Sequence, residues 1–172
     1  MLEPLARPLP ALGLPPTILI AAVAVVAVHV LITRTVFGRH LRAVGGNPWA
    51  ARYAGIDVGR VRITVHVLSG ALAGLAAVLA TARIGSADPN AGTGLELAAI
   101  AAVVIGGTSL AGGAGSCAGS VLGVAVIATL EAGLAHLGAS EPIKRIVTGA
   151  AIVAAVALDF LERRGREGDG EA

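Results

Sequence analysis

The chain has 172 residues, of which 55% are apolar, 2% aromatic and 14% charged, and its mean hydropathy is +0.82. This composition indicates a polytopic membrane protein and excludes an ordinary soluble domain. The net charge is only +2, and the basic residues cluster near the ends of apolar runs, which argues against nucleic-acid binding. A single cysteine, Cys117, excludes an internal disulfide and a multi-cysteine metal site.

Two long apolar runs open the chain. The first, from about Thr17 to Phe37, can cross a hydrocarbon core of ~30 Å at ~1.5 Å per helical residue. The second, from about Ile63 to Ala82, contains Gly70 and Gly74, whose spacing of four allows neighbouring helices to approach closely. We predict that both runs are transmembrane helices.

A basic loop, Gly38–Arg62, lies between these two runs and reads GRHLRAVGGNPWAARYAGIDVGRVR. Lys and Arg accumulate in cytoplasmic loops, so we predict that this loop faces the cytoplasm. It has one acid, Asp57, against the basic residues Arg39, His40, Arg42, Arg52, Arg60 and Arg62.

The loop contains the start and stop signals of a short helix. Asn47 suits the N-cap, where its side chain can accept backbone hydrogen bonds, and Gly55 suits the left-handed residue that follows a helix. Trp49 and Tyr53, the only Trp and Tyr of the chain, lie four residues apart and share a face. Such a short helix is marginal alone in water, so we predict that it docks on a partner through these aromatics. The alternative is a solvated connector that only sets topology.

A third apolar run, Leu95–Leu110, follows a turn-rich segment, Arg83–Gly94. It is shorter than the others and predicts either a short span or a half-helix that enters from outside. It ends in the glycine-rich segment Gly106–Gly115. Irregular backbone at membrane depth is tolerated only where protein or a water-filled cavity surrounds it, so this segment is either part of a translocation path or a tight turn. It is not a phosphate-binding loop, because Gly112 is followed by Gly113 rather than by lysine.

Two further runs complete the predicted bundle. The fourth, from about Ser116 to Ala135, follows Gly115 and contains Gly119 and Gly123, again spaced by four, and the fifth extends from about Ile143 to Phe160. The charged residues 162–172 are predicted to be a disordered tail. We therefore expect one membrane domain over residues 1–172: an all-α polytopic transmembrane helix bundle with about five spans.

Charge counting favours a topology with the N-terminus outside and the C-terminus in the cytoplasm. Five spans place nine basic residues inside and four outside. A re-entrant third run would place eight basic residues inside and five outside. In the five-span topology the outside residues are Arg7, Arg83, Lys144 and Arg145.

The carboxylates of the apolar runs lie near their ends. Glu96 opens the third run, Glu131 lies near the outer end of the fourth, and Asp159 lies at the inner end of the fifth. Ion-driven carriers place carboxylates near the midplane, so the sequence favours a permease that is powered externally. Glu131 is either a rim residue in contact with water or a polar group on the solute path. There is no Ser/His/Asp grouping, paired carboxylate or histidine cluster, so we predict no catalytic residue, cofactor or metal.

The loop Gly38–Arg62 resembles the cytoplasmic coupling loop of sugar-type permeases of bacterial ABC importers, the ribose and xylose systems, with branched-chain amino acid permeases as more distant relatives. The resemblance continues through Ala82–Ser116, ARIGSADPNAGTGLELAAIAAVVIGGTSLAGGAGS, and through the last apolar run. It covers nearly the whole chain, but only the C-terminal half of the longer family pattern. A split gene, a late start codon and a degraded copy are the open explanations.

This resemblance implies a multi-pass transport subunit of the bacterial plasma (inner) membrane that uses alternating access and leaves ATP hydrolysis to another chain. The implied partners are an ABC ATPase subunit, a periplasmic or lipid-anchored sugar-binding protein, a second permease subunit and the lipid bilayer. The implied ATPase-coupling residues are Gly45, Gly46, Asn47, Trp49, Arg52, Tyr53 and Gly55. The candidate gate and path residues are Glu96, Gly106, Gly107, Thr108, Ser109, Gly112, Gly113 and Glu131.

The solute is expected to be a monosaccharide of the ribose/xylose class. One alternative is a permease of the same machinery for another solute, such as a branched-chain amino acid. The other is a truncated membrane fragment that folds without transporting anything.

Overall fold

A computed structural model describes residues 15–86 and 92–168, with residues 141 and 158–168 described by their backbone only. All regular secondary structure in these ranges is helical, which confirms the predicted all-α class. The helices are α1 (Pro16–Arg34), α2 (Val36–Gly46), α3 (Pro48–Tyr53), α4 (Val58–Ile84), α5 (Leu95–Ile105), α6 (Cys117–His136) and α7 (Glu141–Gly168).

Three of these helices are long and apolar enough to cross a membrane, judged by length and composition over the described residues: α1, α4 and α6. They correspond to the first, second and fourth predicted spans. Helix α5 has only 11 residues. At ~1.5 Å per residue it is about 16 Å long, roughly half of a ~30 Å hydrocarbon core. The fold is that of a polytopic membrane protein, whereas the count of five spans and the sidedness of the termini stay predictions.

The chain divides into two compact units, Met1–Ala91 and Gly92–Ala172. The prediction that residues 1–172 form a single membrane domain stays a prediction.

In the first unit, the predicted first span is interrupted at Thr35. Helix α1 ends at Arg34 and α2 starts at Val36, so the chain turns sharply before the basic loop. Helix α2 then packs against α1, α3 and α4. Helix α4 begins before the predicted second span, because Asp57 caps it by accepting a hydrogen bond from the backbone N–H of Arg60 at 3.0 Å.

The second unit is built on α5, which packs against both α6 and α7. Ala101 and Ala102 of α5 are almost fully buried and contact Ile127 of α6, with Ile152 of α7 beside them. Beyond Glu96 in its first turn, helix α5 is apolar on all its sides, which is typical of a helix surrounded by protein or lipid.

Helix α7 extends past the predicted fifth run to Gly168. The helix therefore covers residues 162–168 of the predicted disordered tail, while residues 169–172 lie outside the described ranges. Leu161, Glu162, Arg163 and Arg164 are good helix formers, so propagating the helix from an existing turn costs little.

Candidate functional site

The short helix α3 begins at the predicted N-cap. The side-chain Oδ1 of Asn47 accepts hydrogen bonds from the backbone N–H groups of Trp49 and Ala50, both at 3.0 Å. Pro48 occupies the first helical position, where a backbone N–H would have no intrahelical acceptor. Two of the free N–H groups at this helix end are thus satisfied by one side chain.

Helix α3 ends at Tyr53, and the predicted glycine follows two residues later. Gly55 has a φ of +81°, in the left-handed region that favours glycine. Its N–H donates to the carbonyl of Arg52, and the N–H of Ile56 donates to the carbonyl of Ala51, both at 3.0 Å. This pair of bonds is a Schellman motif, and it fixes the direction in which the chain leaves α3.

Helix α3 has one buried face and one exposed face. Ala51 is only 4% exposed, whereas Trp49 is 69% and Tyr53 90% exposed. The guanidinium carbon of Arg52 lies 5.8 Å from the centre of the Trp49 ring, within the range of a cation–π interaction. The structure thus exposes both predicted anchor rings, whereas their contact with a partner stays a prediction.

The buried face of α3 packs into a small apolar cluster. The buried members come from α2, α3 and α4, and partly buried side chains surround them. The cluster consists of Val44, Ala51, Val58 and Val61, with Phe37, Leu41 and Ile56 packed against it.

Sequence reasoning missed α2, the main support of this cluster. Phe37, Leu41 and Val44 lie at i, i+4 and i+7, which is the spacing of one helical face. That pattern was the available signal. Gly45 and Gly46, predicted as coupling residues, form the last turn of α2. The chain then bends at Asn47, whose N–H donates to the carbonyl of Ala43 at 3.0 Å.

A sharp elbow joins α1 to α2. The Thr35 hydroxyl donates to the carbonyl of Leu31 at 2.6 Å, and Nη2 of Arg42 donates to the carbonyl of Ile32 at 3.0 Å. These two bonds satisfy carbonyls that the end of α1 leaves without helical partners. Gly38 is buried against the Ile32 backbone, and a Cβ there would overlap its carbonyl oxygen.

The glycine-rich segment after α5 forms a tight turn that leads directly into α6. Gly107 closes α5 in the left-handed conformation, and the N–H of Thr108 donates to the carbonyl of Val103 at 3.1 Å. The N–H of Ser109 donates to the carbonyl of Ala114, which closes the loop that contains Gly112 and Gly113. The Thr108 and Ser120 hydroxyls lie 3.5 Å apart.

Helices α5 and α6 approach each other backbone to backbone at this end. A Cβ at Gly106 would lie 2.6 Å from the carbonyl carbon of Gly119, and one at Gly123 would lie 2.8 Å from that of Ala102. Real Cβ atoms essentially never come that close to backbone. The spacing of four between Gly119 and Gly123 therefore holds α5 against α6 within the second unit.

The two carboxylates predicted for the solute path lie at the other end of α5. Glu96 is in its first turn. Glu131 lines a pocket of about 190 Å³ formed by the start of α5, the end of α6 and the start of α7. The pocket is lined by Thr93, Gly94, Leu95, Ala98, Glu131, Lys144 and Arg145. The structure therefore separates the predicted path residues into two groups, and their role in translocation stays a prediction.

We predict that replacing Asn47 with Ala loosens α3 without unfolding the rest of the chain. Loss of an N-cap typically costs ~1 kcal/mol, which corresponds to about fivefold more of the locally open state. Trypsin cleavage after Arg52, followed by mass spectrometry in detergent, should accelerate by that factor, because cleavage follows the population of the open form. Asn47→Asp keeps the oxygen acceptor and should cleave at the parental rate. Equal rates for Asn47→Ala and Asn47→Asp would show that the cap does not hold the helix.

The long apolar helices α1, α4 and α6 indicate a multi-pass membrane protein, and the short helix α3 exposes two aromatic rings. The chain belongs to the family described as branched-chain amino acid transport system / permease component, which matches residues 5–156. This result confirms the permease family that the sequence resembles.

Curated relatives refine the comparison. The chain is 46% identical over 148 residues to the ribose import permease protein RbsC of Bacillus subtilis (86% of this chain, 46% of the relative). It is 48% identical over 151 residues to the probable ABC transporter permease protein YphD of Escherichia coli (87% and 45%). It is 40% identical over 152 residues to the xylose transport system permease protein XylH of Escherichia coli (88% and 39%).

The chain thus spans somewhat less than half the length of these curated relatives. No solved structure matches the chain.

Proposed function

We propose that this chain is a membrane-spanning permease component of an ATP-driven bacterial importer of a monosaccharide of the ribose/xylose class. The observation that carries the coupling role is α3, which is fixed at both ends and presents Trp49 and Tyr53 to solvent. The similarity to a ribose import permease and a xylose transport permease supports the solute class.

The proposed importer contains several partners. An ATPase subunit closes on ATP and displaces α3, a periplasmic or lipid-anchored sugar-binding protein delivers the solute, and a second permease subunit completes the central path. The chain lies in the inner membrane with its N-terminus outside and its C-terminus in the cytoplasm. ATP hydrolysis belongs to the partner chain, and the Gly106–Gly113 turn and Glu131 belong to the gate and path.

The test of the coupling role is a titration of the importer's purified ATPase subunit against the permease assembly in detergent. Trp49→Ala removes the larger exposed ring, and truncating an interface hot spot typically costs ~2 kcal/mol or more. We expect the Kd to rise about thirtyfold, at ~1.4 kcal/mol per tenfold. Leu137→Ala is the matched control, because Leu137 is also large, apolar and 83% exposed but lies outside α3. If Trp49→Ala and the parent bind the ATPase equally, α3 is only a connector.

A second candidate solute is a branched-chain amino acid, which the family description favours. Uptake by the assembled importer in proteoliposomes separates the two. Labelled ribose or xylose should accumulate on addition of ATP, whereas labelled leucine should not. Uptake of leucine without uptake of either pentose would replace the sugar assignment. Binding of ATPase without uptake of any of the three would support the inactive fragment.

A further inference from the structure

A groove lies beside α3 on the first unit, between the short helix and the start of α4. Its volume is about 190 Å³, and it is lined by Pro48, Trp49, Arg52, Val58 and Arg62. Val58 is 4% exposed and belongs to the apolar cluster, so the base of the groove is apolar. Arg62 lies one turn after Val58 on the same face of α4.

The two arginines of the groove, Arg52 and Arg62, differ from the neighbouring Arg60 in their ion pairing. Arg60 forms an ion pair with Asp57, with 3.0 Å between Nε and Oδ2. Arg52 and Arg62 have no acidic partner among the described residues. The contact of Arg52 with the Trp49 ring holds one guanidinium at the wall of the groove. The groove therefore concentrates positive charge over an apolar base.

We infer that this groove receives an acidic side chain, Asp or Glu, of the ATPase subunit, with Arg52 and Arg62 as its ligands. The inference rests on the proposed function, because α3 must first be the ATPase contact. A guanidinium pairs with a carboxylate through two parallel hydrogen bonds, and the apolar base accommodates the methylene part of the same side chain.

Continuity with the docking face favours a protein carboxylate over a lipid phosphate. Trp49 forms both the wall of the groove and the exposed face of α3. A partner that covers Trp49 therefore also covers the groove opening. Removal of water from the arginines strengthens their pairing with a carboxylate relative to an exposed pair.

The test uses the same ATPase titration at two salt concentrations. The double variant Arg52→Gln/Arg62→Gln should raise the Kd about tenfold and should flatten the dependence of log Kd on salt, because fewer charges pair at the interface. The control is Arg60→Gln, which removes a neighbouring charge that is already paired and does not line the groove. It should leave both the Kd and the salt dependence close to parental.

The outcomes separate this inference from the proposed function. A Kd that rises for Trp49→Ala but not for the double arginine variant overturns the groove inference and leaves α3 as the docking helix. A Kd that is unchanged in both variants overturns both the groove inference and the docking role of α3.

A parallel measurement uses phosphatidylglycerol and phosphatidylcholine vesicles. If the double variant loses preference for the anionic vesicles while its ATPase affinity stays parental, the ligand is a lipid phosphate and the inference is wrong. Circular dichroism checks that the variants keep the parental helix content.

Discussion

One added methyl group at Gly123 is expected to destabilise the second unit by about 3 kcal/mol or more. A Cβ at this position would overlap the carbonyl oxygen of Ala102 and would lie 3.0 Å from the backbone N of Gly106. These neighbours are backbone atoms, which cannot rotate away as a side chain can. Gly123→Ala must therefore push α5 and α6 apart, and overpacking of this kind typically costs 1–3 kcal/mol and occasionally more.

The measurement is unfolding in mixed micelles of dodecyl maltoside and increasing SDS, followed by far-ultraviolet circular dichroism. Gly133→Ala is the matched control, because Gly133 lies in the same helix and a Cβ there meets no atom within 4 Å. The control should be neutral or slightly stabilising, since alanine is the better helix former. Parental midpoints for both variants would mean that α5 does not contact α6 closely at Gly123.

The contrast between two glycine pairs shows where sequence reasoning reaches its limit. Gly70 and Gly74 of α4 have the same spacing as Gly119 and Gly123 of α6. A Cβ added at either glycine of the first pair would meet no atom of another described segment within 4 Å, whereas the second pair packs directly on the backbone at the end of α5. Spacing shows that a helix can be approached closely, but which helix approaches it is decided by tertiary structure.

Local signals were the most predictable part of the candidate site. The Asn47 cap and the Gly55 turn depend on hydrogen bonds between residues a few positions apart, so their chemistry is contained in the sequence window itself. The positions of both were predicted correctly. The shared face of Trp49 and Tyr53 follows from the helical period alone, and the structure exposes both rings.

Helix α2 was less predictable because its burial depends on partners that lie elsewhere in the chain. Phe37, Leu41 and Val44 form a weak pattern within a segment rich in glycine and arginine. Their face becomes buried only when α3 and α4 fold against it. The break at Thr35 has a similar cause, since it is stabilised by the long-range bond from Arg42 to Ile32. The sequence also carried a local signal for this break, because Thr33, Arg34 and Thr35 interrupt the apolar residues. Thr35 caps α2 by accepting a hydrogen bond from the backbone N–H of Gly38 at 3.4 Å.

Gly38→Ala is expected to open the elbow between α1 and α2, at a cost of about 3 kcal/mol. A Cβ at Gly38 would overlap the carbonyl oxygen of Ile32 and would lie 2.8 Å from its Cα. The same displacement would separate that carbonyl from the guanidinium of Arg42, which donates to it at 3.0 Å. Steric overlap and loss of a charge-assisted hydrogen bond thus act in the same direction.

Spin labels at Val26→Cys in α1 and Arg39→Cys in α2, in a Cys117→Ala background, measure this opening directly. Both positions are exposed, so the labels should not disturb the packing. The distance distribution should be narrow in the parent and should shift and broaden in Gly38→Ala. The control is Gly46→Ala, because Gly46 lies in the same helix and a Cβ there meets no atom within 4 Å. An unchanged distribution in Gly38→Ala would show that the elbow adapts without opening.

In the proposed importer, the elbow also bears on how a displacement of α3 would reach the membrane. Val44 of α2 and Ala51 of α3 belong to one buried cluster, so a push on α3 moves α2 with it. Helix α2 transmits that movement to α1 only if the elbow is stiff. Gly38→Ala should therefore leave ATPase binding at the parental Kd and yet reduce solute uptake, whereas Trp49→Ala should weaken binding itself. If Gly38→Ala keeps full uptake despite an opened elbow, the displacement must enter the spans through α4 instead.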